Sequence, residues 1–140
     1  MAESSEHIDY VKKIAKYVSL LTSVEISSNL LVDLPEYSNR PDRTIGNFIP
    51  DLFYKDSRCL IIGEAKTEND IDRKHSKEQY ESYIREASLF DGESHIIICT
   101  SLYSFARLKN IIKKIKLEEN SSAKLHLLND IGEASILWEK

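Results

Sequence analysis

Two short apolar runs constrain the fold of this chain more than any other feature. Cys59-Leu60-Ile61-Ile62 and Ile96-Ile97-Ile98-Cys99 are rich in β-branched residues and bounded by polar ones, as buried strands are. Both are far too short to cross a bilayer. Between them, residues 72–90 place Tyr80, Tyr83, Ile84 and Ala87 at helical spacing, and Asp91-Gly92 supplies a stop. A strand, a helix and a second strand in that order require a right-handed crossover and parallel pairing. Helices must then cover the sheet, so an α/β fold is expected.

The flanking segments extend the pattern. Over 5–21 the residues Ile8, Val11, Ile14, Ala15, Val18 and Leu21 recur at helical spacing behind a serine cap. The spacing predicts a strand over 24–32 and a loop over 33–44, where Pro35, Asn39, Pro41 and Asp42 break regular structure. Runs at 45–54 and 58–66, separated by Lys55-Asp56-Ser57, read as a β-hairpin, and 67–71 as a polar connection. A strand over 94–100 and a helix over 102–117 follow, the helix with Phe105, Leu108, Ile112 and Ile115 on one face. A last strand is expected over 124–128, then a tail ending at Trp138. With 140 residues and no repeat or linker, residues 1–140 are expected to form one domain with a mixed sheet.

Charge narrows the function classes. Nineteen basic residues stand against twenty-three acidic ones, a formal net charge of −4, which excludes a uniformly basic nucleic-acid coat. Local basic patches remain compatible with it. Cys59 and Cys99 lie in apolar runs and are expected to be buried, reduced thiols. The polar start of the chain does not resemble a secretory leader. A soluble, cytoplasmic protein without membrane association is the expectation.

The chemistry lies in two strand segments with unusual charges, Phe48-Ile49-Pro50-Asp51-Leu52-Phe53 and Cys59-Leu60-Ile61-Ile62-Gly63-Glu64-Ala65-Lys66. Carboxylates and an amine among apolar residues are costly to bury unless they pair or bind metal. Strand alternation puts Glu64 and Lys66 on one face. A turn centred on Asp56-Ser57 sets Asp51 opposite Ile62, one diagonal step from Glu64. A slip of one residue would send Asp51 to the other face. If they converge, the two carboxylates and a backbone carbonyl make a hard oxygen site suited to Mg2+ or Mn2+. The lysine can hold a water or steady a phosphate, as metal-assisted phosphodiester hydrolysis requires.

Pro50-Asp51 followed by Glu64-Ala65-Lys66 resembles the signature of the PD-(D/E)xK nuclease superfamily. The order helix, three strands, helix, strand over residues 5–100 is similar to that family's core. A second pair, Pro41-Asp42, lies in the turn-rich loop and is set aside. Gln79-Tyr80-Glu81-Ser82-Tyr83 resembles the Q-x-x-x-Y motif of RecB-like exonuclease domains, and Ile49-Pro50-Asp51-Leu52 is similar to VRR-NUC and Holliday-junction-resolvase members. The resemblance implies a restriction-endonuclease-like core, αβββαβ, with a C-terminal helix and strand added. It implies metal binding by Asp51, Glu64 and the Ala65 carbonyl, with Lys66 orienting the attacking water. Gln79 and Tyr83, four residues apart on one helix face, would contact substrate or metal ligands. Relatives often add a glutamate from the first helix, for which Glu3 and Glu6 are candidates.

The expected activity is Mg2+- or Mn2+-dependent hydrolysis of DNA in repair, recombination or defence. Arg40, Arg43, Arg73, Lys74 and Lys77 are the candidate phosphate contacts, which position DNA without reading bases. The basic residues of the third helix, Arg107 to Lys116, fit a solvated face equally well. A chain of this length offers little surface for a long duplex, so a second copy or a partner protein is expected to supply target recognition. Two other readings stay open. The domain would serve as a non-catalytic DNA-binding or assembly module, or Glu64 and Lys66 would form a strand-end ion pair that guards a sheet edge. His7, His75, His95 and His126 show no ligand spacing and are expected to be ordinary surface or core residues.

Overall fold

The computed structural model describes residues 4–21, 30–37, 39–42, 45–119 and 123–137. Three helices and six strands follow in the order α1 (Ser5–Leu21), β1 (Leu31–Val32), β2 (Leu52–Lys55), β3 (Cys59–Ala65), α2 (Lys74–Leu89), β4 (Glu93–Thr100), α3 (Leu102–Glu119), β5 (Lys124–Asn129) and β6 (Ala134–Leu137). The strands form one mixed sheet in sequence order, β1-β2-β3-β4-β5-β6. β3, β4 and β5 are parallel, while β1–β2, β2–β3 and β5–β6 pair antiparallel. The parallel pairing of β3 with β4 across α2 is the one that the two apolar runs predict.

Each face of the sheet buries its own core. On one face, Tyr10, Val11, Ile14 and Val18 of α1 meet Leu52, Ile61, Ile97 and Cys99. On the other, Tyr80, Tyr83 and Ile84 of α2 and Leu108 and Ile112 of α3 meet Leu60, Ile62, Ile96, Ile98, Leu125 and Leu127. Each large side chain buried this completely contributes about 1.5–3 kcal/mol. α1 starts where expected because Ser4 Oγ accepts the His7 backbone N–H at 3.1 Å, a serine cap. Gly63 brings α1 close to the sheet. A Cβ there would lie 2.9 Å from Ile14 Cγ2 and 3.0 Å from the Leu52 Cβ.

Several expectations need correction. The run at 45–54 is strand only from Leu52. Before it, Ile45 and Phe48 exchange backbone hydrogen bonds of 2.7 and 3.1 Å around a turn. Gly46 takes a positive φ of 64° there, and Pro50 has no N–H to give a ladder. The strand predicted over 24–32 is seen at Leu31–Val32, and residues 24–29 lie outside the described residues. The connection after Lys66 contains a 3-10 turn at Glu68–Asp70. The expected tail beyond β5 folds back as β6. Asn129 makes that reversal, its Oδ1 accepting the N–H groups of Ile131 and Glu133 at 3.1 and 3.0 Å.

The hairpin register also differs. Asp56 accepts the backbone N–H groups of Arg58 and Cys59 on Oδ1 at 2.7 and 2.8 Å, and its own N–H donates to the Cys59 carbonyl at 2.9 Å. The turn therefore centres on Ser57-Arg58, one residue later than expected. Phe53, not Asp51, faces Ile62, and the last pair is Leu52 with Gly63. Moving the centre by one residue moves the pairing by two, which preserves the face of every side chain. No helix among the described residues is long and apolar enough to cross a membrane.

Candidate active site

The hairpin and α2 bring the signature residues to one place. Asp51, Glu64, Lys66 and Gln79 keep only 7%, 6%, 7% and 5% of their surface exposed. Asp51 grips the strand on both sides of Glu64. Its N–H donates to the Gly63 carbonyl at 3.0 Å, and its Oδ2 accepts the Ala65 N–H at 2.9 Å. Ala65 thus lies beside the carboxylate pair.

α2 closes the site from the side. Tyr83 donates its hydroxyl to Glu64 Oε1 at 2.9 Å, and Gln79 Nε2 donates to the Tyr83 oxygen at 3.0 Å. The expected i, i+4 pair therefore acts in series on one carboxylate. The Gln79 carbonyl oxygen is buried and has no hydrogen-bond partner among the described residues. Lys66 extends β3 by donating its N–H to the Cys99 carbonyl at 2.9 Å, and its ammonium lies 6.0 Å from the Tyr80 ring centroid. Tyr80 is fixed in turn by its hydroxyl, which donates to the Ile71 carbonyl at 2.9 Å.

Burial, reinforced by the negative charge of Asp51, pushes the Glu64 carboxyl well above the usual range, against the opposing pull of Lys66 and the Tyr83 hydroxyl. Fully ionised, Asp51, Glu64 and Lys66 carry a net charge of −1 in a water-poor site. A proton on Glu64 or a cation beside the pair neutralises it. Burial likewise raises the Tyr83 phenol far above its ordinary value, so Tyr83 remains a hydrogen-bond donor. The donor set is hard oxygen, with Asp51, Glu64 and the adjacent Ala65 peptide. That set fits Mg2+ or Mn2+.

The first helix contributes His7, expected from the sequence to be an ordinary surface or core residue. His7 Nε2 lies 3.3 Å from Asp51 Oδ1. Of the glutamate candidates, Glu6 is exposed and Glu3 lies outside the described residues. The serine cap that fixes the start of α1, with His7 in its first turn, was the available signal. Among the basic residues, Arg40 is exposed on the loop before the hairpin, and Arg43 lies outside the described residues. Arg73, Lys74 and Lys77 are exposed at the start of α2, and Arg73 is engaged with Asp70 at 3.5 Å and the Asn69 carbonyl at 3.1 Å. His75 packs edge-on against Phe48 with ring centroids 5.0 Å apart.

Both cysteines are free and buried. Burial pushes the Cys59 thiol up to about 11 and the Cys99 thiol to about 12, which removes them as nucleophiles at neutral pH. No family model matches the chain, and no curated protein or solved structure matches it.

Proposed function

We propose that this chain is a metal-dependent deoxyribonuclease of the PD-(D/E)xK type, with a restriction-endonuclease-like core built on β2, β3 and α2. The observation that carries this reading is the meeting of Asp51 and Glu64 on one sheet face, with Lys66 two residues on and Tyr83 and Gln79 holding Glu64 from α2. A strand-end ion pair needs neither a second buried carboxylate nor a tyrosine and glutamine in series.

Asp51, Glu64 and the Ala65 carbonyl would hold the Mg2+ or Mn2+ ion. When bound, the ion supplies an activated water and neutralises charge on the scissile phosphate. Lys66 positions that water or a phosphate oxygen as a point charge. Tyr83 and Gln79 fix the rotamer of Glu64, the outer support that metal-binding carboxylates commonly need. Arg40, Arg73, Lys74 and Lys77 are exposed and would meet DNA phosphates, and the net charge of −4 implies modest, salt-sensitive affinity. A second copy or a partner protein would supply target recognition.

The test is cleavage of labelled single-stranded, double-stranded and branched DNA, with RNA alongside, in Mg2+ or Mn2+. Asp51→Asn, Glu64→Gln and Lys66→Met are each expected to lower cleavage by about 100-fold or more while circular dichroism stays unchanged. Cleavage of RNA alone would overturn the DNA assignment. Equal cleavage by wild type and all three folded variants would overturn the site.

A further inference from the structure

A second cluster of donor atoms lies at the other end of the same two strands, on the opposite sheet face. Cys59 opens β3 and is the register partner of Glu93, which opens β4, and His95 follows two residues later on the same face. One ligand atom from each, the Cys59 Sγ, a Glu93 carboxylate oxygen and a His95 ring nitrogen, all lie within 4.8 Å of one another. A tetrahedral ion with bonds of 2.0–2.3 Å needs its ligand atoms about 3.5 Å apart. The His95 Nε2 and Glu93 Oε2 atoms are already at that spacing, 3.2 Å apart, so binding an ion requires Cys59 Sγ to close in on this pair.

The state of His95 is an independent pointer to a ligand. The ring is 4% exposed, yet its Nε2 has no hydrogen-bond partner among the described residues. Glu93 Oε2 lies 3.2 Å from that nitrogen, so the carboxylate and the ring already face one another. The other ring nitrogen is well held. Nδ1 lies 3.0 Å from His126 Nε2, and His126 Nδ1 lies 2.8 Å from the Tyr17 hydroxyl. Histidines that bind metal characteristically have their second nitrogen fixed in this way. If His95 Nδ1 donates to His126, and His126 donates to Tyr17, the His95 Nε2 lone pair faces the cluster. Lys124 approaches Glu93 through the other oxygen, Oε1, at 3.8 Å, which leaves Oε2 for an ion.

We propose that Cys59, Glu93 and His95 form a zinc-class metal site that clamps the starts of β3 and β4. The sulfur and imidazole donors select a borderline ion such as Zn2+ over Mg2+ or Ca2+. Cys59 gives up its thiol proton to solvent on binding. The site is separate from the Asp51–Glu64 pair in position and in donor chemistry.

The test is titration of the reduced full chain with Co2+, which replaces Zn2+ and reports a thiolate ligand by a near-ultraviolet charge-transfer band. Wild type is expected to show the band, and Zn2+ to extinguish it. Asp51→Asn should retain it and Cys59→Ser should lose it. Glu93→Gln exchanges a carboxylate for a neutral amide on an exposed side chain and so leaves the fold intact. It and His126→Gln should each weaken Co2+ binding by about 10-fold or more. Absence of the band in wild type, its persistence in Cys59→Ser, or unchanged affinity in Glu93→Gln would each overturn the proposal.

Discussion

The Tyr83 hydroxyl donates to Glu64 Oε1 at 2.9 Å, joining the helix that follows the signature to the strand that carries it. The contact spans nineteen residues of sequence and lies under the α2 face of the sheet. It fixes one oxygen of a buried carboxylate.

Tyr83→Phe deletes that donor and leaves the Gln79 amide without its acceptor. Both groups are buried, so the variant is expected to lose about 1–3 kcal/mol of stability. Mg2+ affinity should fall about 10–100-fold, as for loss of an outer support to a metal ligand. Urea denaturation and cleavage as a function of Mg2+ concentration measure the two effects. A variant equal to wild type in both would remove Tyr83 from the site.

The raised Glu64 carboxyl has a consequence for stability in the metal-free protein. The folded state keeps a proton that the unfolded chain releases near the ordinary glutamate value of about 4.3. The stabilisation is complete below that value and is lost as pH rises through the raised folded value. Metal-free wild type should therefore become less stable as pH increases above the ordinary glutamate range, with a slope no steeper than about 1.4 kcal/mol per pH unit. Glu64→Gln should flatten this component. Denaturant unfolding in a chelator over a pH series measures it, and identical slopes in the two proteins would contradict the account.

Gly63→Ala tests how closely α1 approaches the hairpin. The new methyl would meet Ile14 Cγ2 and the Leu52 Cβ at 2.9 and 3.0 Å, both inside the core. Overpacking of this kind costs about 1–3 kcal/mol. Thermal or urea denaturation should show the loss, whereas an unchanged midpoint would mean that α1 stands farther from the sheet.

The sheet was legible where both kinds of period were strong. β3, β4 and α2 fell where the runs at 59–62 and 96–99 and the helical spacing of Tyr80, Tyr83, Ile84 and Ala87 put them. β6 was missed because Ala134 and Ile136 are exposed, leaving only a weak alternating signal. The hairpin register was displaced by two because the Asp56 side chain, not the count of polar residues, closes the turn. That error kept Asp51 on the correct face. His7 reads as an ordinary residue because it has no ligand spacing, and only the packing of α1 brings it to Asp51. Cys59 has no spacing that ties it to Glu93 and His95, since parallel register across a crossover brings it to them.

The central claim is that Asp51 and Glu64 together hold a divalent cation for hydrolysis. Anomalous diffraction from Mn2+-soaked crystals tests it most directly. The account predicts a manganese peak coordinated by both carboxylates and lost in Glu64→Gln. Well-ordered side chains with no peak between them, or a peak that persists in Glu64→Gln, would contradict it.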